Sequence, residues 1–319
     1  MAGIGKNIEE AKKLLDANKL VGIPTETVYG LAGNAFNEDA VLDIFRVKQR
    51  PSFDPLIVHA SNLDQIRGFV KEIPDQAEML AQELWPGPLT MLLNKKSVIP
   101  DLVTSGLGTV AVRIPRHPLT LALLNSLEYP LAAPSANPFG YISPTKAIHV
   151  NEQLGDAIDY ILDGGDCLIG VESTIISFEG KIPTILRLGG QPIERLKEFL
   201  GEVKINEHST SQPAAPGMMK SHYAPSKKLI LNHQSDLLKK YSAAETGVLV
   251  FGQMHTEIPV ANQYVLSATG NVNEAAKNLF SAMRELDQKP DIRIIIADAI
   301  PNIGLGKAIN DRLKRASAE

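Results

Sequence analysis

Two cations stand close together in the segment KQRP: Lys48 and Arg50, with Pro51 directly after them. Cations in a last helical turn are explained by the helix dipole alone. These two lie beyond what the dipole needs, and a fixed pair of that kind invites phosphate. Upstream, Thr25, Glu26, Thr27 and Tyr29 crowd hydroxyls and one carboxylate into a few positions, and His59 follows downstream. Further polar residues are dispersed: Thr27, Arg113, Ser135, Asn137, Ser173 and Arg187 each fall at or beside the end of an apolar run that reads as a strand. Taken singly, each has an ordinary structural explanation; their co-occurrence is the signal. No GxSxG elbow, no histidine pair at zinc-ligand spacing and no nucleophile–base pair stands out. Such a set suits chemistry run by positioning and charge neutralisation, the pattern of phosphoryl and nucleotidyl transfer.

The elements that must position these groups can be read from the apolar runs. Leu20–Ile23 is a short buried strand stopped by Pro24. Gly30 and Gly33 would let backbone approach a ligand. Asn37 is placed to cap a helix over Glu38–Val47 whose apolar face holds Val41, Leu42 and Phe45, and Pro51 ends the segment. A second strand, Leu56–Val58, delivers His59. The unit is βαβ-sized and carries hydroxyls, one carboxylate, the cations Arg46, Lys48 and Arg50, and one imidazole.

The remaining chain continues in the same manner. Helices are expected over 8–15, 62–69, 76–84, 119–127 and 193–200, and one over about 143–154 capped by Ser143-Pro144-Thr145. Strands are expected over 89–93, 109–114, 131–133, 160–163, 173–177 and 184–187. The irregular alternation, with several hairpin-like joins, implies a mixed sheet. From Gly201 the composition changes to a linker, HSTSQPAAPG, ending in the aromatic and cationic PGMMKSHYAP. From Lys228 an α/β pattern restarts, with strands over 229–231, 247–251 and 293–296 and helices over 235–241, 273–286 and 306–314, as in a small Rossmann-like parallel sheet. The expected division is therefore a domain over 1–200, a linker over 201–227 and a smaller domain over 228–319. GLGKA at Gly304 fails as a phosphate loop, because Pro301 stands where the first glycine belongs and Ala308 where Ser or Thr belongs. GIGKN at Gly3 has almost no chain before it. Both read as caps or turns.

Composition sets bounds on function. With 44% hydrophobic and 21% charged residues, 319 residues suffice for two soluble globular domains. The net charge of −4 does not indicate a globally basic nucleic-acid binder. A single cysteine, Cys167, rules out an internal disulfide and a multi-cysteine zinc site. The charged start, MAGIGKNIEEAKKLLDANK, is not a secretory signal, and no run approaches a membrane span, so a cytoplasmic location is expected.

PTETVYGL, a Lys-x-Arg and Pro-Leu-x-Val-His together resemble the opening of the YrdC-like family of threonylcarbamoyl-adenylate synthases. WPGPLT (85–90), TVAVRIPRHP (109–118), PSAN (134–137), SPT (143–145), GVESTI (170–175) and LRLGG (186–190) follow in family order, and HYAP before a small α/β domain resembles the long two-domain form. The resemblance implies a YrdC-like twisted mixed sheet with flanking helices and a concave basic cavity, plus a smaller Rossmann-like domain. It implies an enzyme that makes threonylcarbamoyl-AMP and pyrophosphate from L-threonine, bicarbonate and ATP, for modification of the adenosine 3′ of the anticodon in tRNAs reading ANN codons. Carried over by motif, Thr27, His59, Arg113, Ala133 and Ser173 hold threonine. Lys48, Arg50, Asp54, Thr109, Ser135, Asn137, Ser143 and Arg187 surround ATP, with Lys48 and Arg50 acting in catalysis and Tyr223 folding over the nucleotide as part of a lid. Mg²⁺ arrives with ATP, and no tightly bound cofactor or dedicated metal site is implied. The partners are the three substrates, then tRNA and the machinery that receives the adenylate; no membrane is involved. The sequence departs from the family at Gln49 (often Gly), Leu188 (often Pro), Asp54 (often Asn), Met219 and Ser221. Two other readings compete: a hydrogenase-maturation type carbamoyl transferase, which would add cysteine-rich zinc motifs, and a non-catalytic module binding double-stranded RNA or tRNA.

Overall fold

In a computed structural model of the chain, residues 1–206, 215–216, 221–231 and 241–318 are described. The chain divides into two compact units. The first takes in Met1–Phe139, Pro144–Leu168 and Glu172–Met219; the second takes in Gly140–Ser143, Ile169–Val171 and Lys220–Glu319. Much of the linker expected over 201–227, Met219 included, and most of the helix expected over 235–241 lie outside the described residues.

The first unit contains β1 (Gly3–Gly5), β2 (Val21–Ile23), β3 (Gly30–Asn34), β4 (Ile57–His59), β5 (Leu89–Asn94), β6 (Thr109–Arg113), β7 (Leu131–Ala132), β8 (Tyr160–Leu162), β9 (Thr174–Ser177), β10 (Thr184–Arg187) and β11 (Lys204–Ile205). They form an eleven-stranded sheet in the order β1-β8-β2-β3-β7-β4-β6-β5-β9-β10-β11. Parallel joins such as β4–β6 and β5–β9 mix with antiparallel ones such as β3–β7 and β5–β6, so the sheet is mixed as the sequence implies. Its helices are α1 (Ile8–Asp16), α2 (Glu38–Lys48), α3 (Leu63–Phe69), α4 (Asp75–Leu84), α5 (Asp101–Thr104), α6 (Pro118–Ser126), α7 (Ala147–Leu154) and α8 (Ile193–Leu200). Leu31, Ile44, Leu56, Phe69, Leu80 and Met91 are fully buried in its main core. The caps are local: the side chains of Asn7, Asn37 and Asn62 each accept from backbone amides of the first helical turn.

Several local expectations need correction. Lys48 is the last residue of α2 rather than part of a loop, and Gln49 caps that helix in the left-handed region at φ 53°. Leu42 faces outward, while Ala40, Val41, Ile44, Phe45 and Lys48 form the buried side of α2. Gly30 and Gly33 both lie in β3, and a Cβ on Gly33 would stand 2.9 Å from Leu20 and 3.3 Å from Ile44, so the smallness of Gly33 serves core packing. Ser143-Pro144-Thr145 does not cap α7, which starts at Ala147 after Lys146 without a side-chain cap. Gly3–Gly5 is an edge strand paired with β8 rather than a cap.

The second unit contains β12 (Lys228–Leu231), β13 (Thr246–Val250), β14 (Gln263–Val265), β15 (Ile294–Ala297), α9 (Val272–Gln288) and α10 (Gly306–Ala316). Its described strands form a wholly parallel sheet in the order β12-β15-β13-β14, the Rossmann-like arrangement that the pattern implied. Among the described residues no helix is long and apolar enough to cross a membrane.

Gln49 offers a test. A left-handed C-cap favours glycine because a Cβ is strained there. Gln49→Gly should raise stability by up to about 1 kcal/mol, partly offset by greater freedom of the unfolded chain. Urea-unfolding midpoints of the two proteins check this, and a lower midpoint for the glycine variant contradicts it.

Candidate active site

The polar groups collect where strands end. β4 and β6 run parallel with His59 opposite Arg113, so the imidazole and the guanidinium leave the sheet side by side. Just before β3, Thr25 winds the chain into a turn. Its hydroxyl donates to the Val28 carbonyl and accepts from the Thr27 and Val28 amides, and it lies 2.8 Å from the Thr27 hydroxyl. That turn brings Glu26 and Thr27 to Arg113. Arg113 Nη1 donates to Thr27 Oγ1 at 2.9 Å, Nε donates to the Gly87 carbonyl at 3.1 Å, and Nη2 is 2.7 Å from Glu26 Oε1. Both side chains of this ion pair are almost wholly buried, at 4% and 0% exposure. Ala133, just past β7, is buried nearby, its amide donating to Ile57. Burial, reinforced by the charge of Arg113, pulls the His59 pKa down to about 3, so the ring is neutral, and its Nδ1 is buried without a hydrogen-bond partner.

A second group forms at the exit of α2. Lys48 Nζ donates to the carbonyls of Ser135 and Asn137, both at 2.5 Å, while its own carbonyl accepts from the Phe139 amide. Arg50 donates to the carbonyls of Asp54 and Pro55 and pairs with the Asp54 carboxylate at 2.8 Å. The Phe139 ring lies 5.8 Å from the Arg50 guanidinium carbon. Burial, with repulsion from Arg50, holds Lys48 well below the usual lysine value. Asp54 is raised by burial, against the opposing pull of Arg50, Lys48 and Arg187.

A third group forms at Ser173. Arg187, the last residue of β10, donates to the Ser173 carbonyl through Nε and Nη2 and to its hydroxyl through Nη2; that hydroxyl is also 2.7 Å from Thr90 Oγ1. Arg187 Nη1 donates to the Pro216 carbonyl at 3.2 Å. The neighbouring Ala215 is fully buried among Ile57, Leu92, Ala111, Ile175 and Leu186. A piece of the linker thus lies against the sheet beside the site.

The structure brings together Thr27, His59 and Arg113; Lys48, Ser135 and Asn137; Arg50 and Asp54; and Ser173 and Arg187. Ser135 and Asn137 offer Lys48 their backbone carbonyls, a role not visible from residue type. Thr109 stands apart, at the far end of β6 from Arg113, about 13 Å away at roughly 3.3 Å per residue. It borders a separate cavity of about 150 Å³ shared with Glu72, Leu92, Asn94, Phe178 and Glu179. Ser143 and Tyr223 belong to the second unit. There Tyr223 is buried, stacked on Phe280 at 5.8 Å, with the Arg312 guanidinium 4.8 Å from its ring centre. Sequence reasoning gave no role to Glu26, Thr90 or Gly87. The one available signal was a carboxylate set between two threonines at the exit of a buried strand. Among the described residues no cluster of three or more His, Cys, Asp or Glu side chains is arranged to hold a metal.

The neutral His59 makes stability pH-dependent with a definite sign. Its folded pKa of about 3 lies below the ordinary 6.5, so its contribution is full above pH 6.5 and is lost as pH falls toward 3. His59→Gln should therefore lose less stability than the parent between pH 7 and pH 4.5. Denaturation midpoints at both pH values check this, and equal losses contradict it.

Comparison with known proteins bears on the family and the fold. The Sua5_yciO_yrdC profile, described as telomere recombination, matches residues 13–189, and the profile described as the threonylcarbamoyl-AMP synthase C-terminal domain matches residues 192–318. The threonylcarbamoyl-AMP synthase of Pyrococcus abyssi is 41% identical over 98% of this chain and 96% of its own. That of Bacillus subtilis is 39% identical over 97% and 92%. The crystal structure of P. abyssi Sua5 complexed with L-threonine superposes with a TM-score of 0.91 at 40% identity, covering 99% of this chain and 97% of that one. With both domains matched end to end, the chain belongs to the two-domain threonylcarbamoyl-AMP synthase family.

Proposed function

We infer that the protein is an L-threonylcarbamoyladenylate synthase. The observation that carries this is a set of three buried cations, Lys48, Arg50 and Arg187, whose charges act on the Asp54 carboxylate paired with Arg50, in the same unit as a group built on Arg113, Thr27 and His59. The first group has an excess of buried positive charge that suits a polyphosphate. The second has an arginine, a hydroxyl and a neutral imidazole, which suits the carboxylate and hydroxyl of threonine. Support comes from the P. abyssi relative, whose structure holds L-threonine.

In this reading the threonine carboxylate faces Arg113, and Thr27, His59, Ala133 and Ser173 line its pocket. Threonine's deprotonated amine adds to bicarbonate or the CO₂ derived from it, giving a carbamate with loss of water. A carbamate oxygen attacks the α-phosphorus in line, the bond to the bridging oxygen of the leaving diphosphate breaks, and pyrophosphate departs. Lys48, Arg50 and Arg187 offset charge building on the phosphate oxygens. Mg²⁺ carried on those phosphates, whose oxygens suit it, would neutralise part of the same charge. Asp54 aligns Arg50, and Ser135 and Asn137 hold Lys48 in place. The linker forms a lid that excludes water from the mixed anhydride. The contact of Arg187 with the Pro216 carbonyl supports that lid. The product is an activated carbamoyl donor, used to modify the adenosine 3′ of the anticodon in ANN-decoding tRNAs in the cytoplasm.

Pyrophosphate release from ATP should require both threonine and bicarbonate; release without threonine contradicts the reading. Lys48→Ala and Arg50→Ala should each lower the rate by about a hundredfold or more, in the range seen when one preorganised charge-stabilising group is removed. Parental turnover in either would remove that residue from catalysis. A chain ending at Gly201 should release far less pyrophosphate, and full activity in it would overturn the lid.

A further inference from the structure

Arg113 does not stand alone at the end of β6. Two of its nitrogens donate hydrogen bonds to the protein, Nε to the Gly87 carbonyl and Nη1 to Thr27 Oγ1, while Nη2 lies 2.7 Å from Glu26 Oε1 as an ion pair in which neither atom makes a hydrogen bond. The two terminal nitrogens each carry a second N–H. The guanidinium is therefore clamped while keeping donors for a ligand. The other oxygen of the same carboxylate, Glu26 Oε2, accepts from the Arg116 amide at 3.0 Å, so Glu26 grips the exit of β6 at two points. Neither Thr27 nor Gly87 brings charge to the clamp. Glu26 alone balances the buried arginine.

We propose that Glu26 is the positioning residue of the amino-acid pocket: it fixes the plane and place of the Arg113 guanidinium, and through Arg113 it sets affinity for the substrate carboxylate without touching it. This rests on the reading of Arg113 as the threonine-carboxylate group. An arginine deprived of its counter-ion in a buried site moves toward whatever acceptors remain, and nearby carbonyls are plentiful. A zwitterionic amino acid also meets a pocket of balanced charge when Glu26 is present and one with a surplus cation when it is absent. The location of Glu26 sharpens the effect. It lies between Thr25, hub of the turn, and Thr27, itself a partner of Arg113, so its carboxylate ties the turn directly to β6.

The test uses the full-length protein, with pyrophosphate release measured against threonine and against ATP separately. Glu26→Gln keeps size and removes charge. It should raise KM for threonine about tenfold or more while KM for ATP stays within about twofold and kcat changes less than KM, the split expected for a lost binding determinant. Glu26→Asp, which keeps the charge on a shorter stem, should recover part of the loss. The double variant Glu26→Gln with Arg113→Gln carries no unbalanced buried charge, which keeps it foldable if the single variant is not. Its threonine KM should equal that of Arg113→Gln alone, because two residues acting through one contact are not additive. A merely structural ion pair predicts otherwise: a lower melting temperature with threonine and ATP KM both unchanged in the folded protein. That outcome, a lowered threonine KM, or fully additive effects overturns the proposal. If the parent protein itself releases pyrophosphate without threonine, or if Arg113→Gln leaves threonine KM unchanged, the underlying pocket assignment falls and this proposal with it. An unchanged Glu26→Gln beside an impaired Arg113→Gln removes this proposal alone.

Discussion

Holding cations in a protein interior is the constraint on which the first unit depends. Lys48, Arg50, Arg113 and Arg187 are all buried, and a buried charge is tolerated only when hydrogen-bonded or paired. Each is met by groups delivered from a different part of the chain. Arg113 takes the turn after β2 and the Gly87 carbonyl. Lys48 takes the loop after β7. Arg50 takes its own following residues. Arg187 takes the first residues before β9 and a piece of the linker. The mixed sheet is what makes these deliveries coincide, because β4, β6, β7, β9 and β10 are near neighbours in space though spread over more than a hundred residues of sequence.

The partners differ in kind, and that decides what each cation can do. Arg50 and Arg113 contact carboxylates, so each belongs to a pair of balanced charge and is fixed in orientation. Breaking such a pair by removing one member costs on the order of 3–5 kcal/mol, which makes both carboxylates structural as well as electrostatic. Lys48 is held by two neutral carbonyls instead. Carbonyl dipoles position an ammonium without cancelling its charge, so its field is left for an anion. The depressed lysine value reports the same fact, since burial without a contacting counter-ion disfavours the charged form.

The sequence made much of this legible. Short apolar runs ending in polar residues located β4, β6, β9 and β10 within a residue, and Asn37 announced the start of α2. Hidden from it were features set by backbone geometry and by contacts distant in sequence. Residue type cannot show that Ser135 and Asn137 act through their carbonyls, nor that Ser173 and Arg187 are bonded across a hairpin. Gly33 admits two causes, ligand approach and tight packing, and the neighbours Leu20 and Ile44, distant in sequence, are what show the packing role. Glycine-rich GIGKN reads as a turn until β8 supplies a partner edge that makes it a strand.

Gln49 and Lys48 show how these levels connect. A helix that must end with its last side chain turned inward needs an abrupt reversal of the backbone, and the left-handed cap at Gln49 supplies it. Arg50 is thereby swung out of helical register, far enough to find Asp54 and Pro55 rather than follow Lys48 down the helix face. A continued helix would have set the two cations about 200° apart around its axis, at roughly 100° per residue, and on opposite sides. The residue between them, in the left-handed region, is what lets Lys48 reach the Ser135 and Asn137 carbonyls while Arg50 reaches Asp54. What the Lys-x-Arg spacing places side by side is thus set by how the helix stops more than by the count of charges.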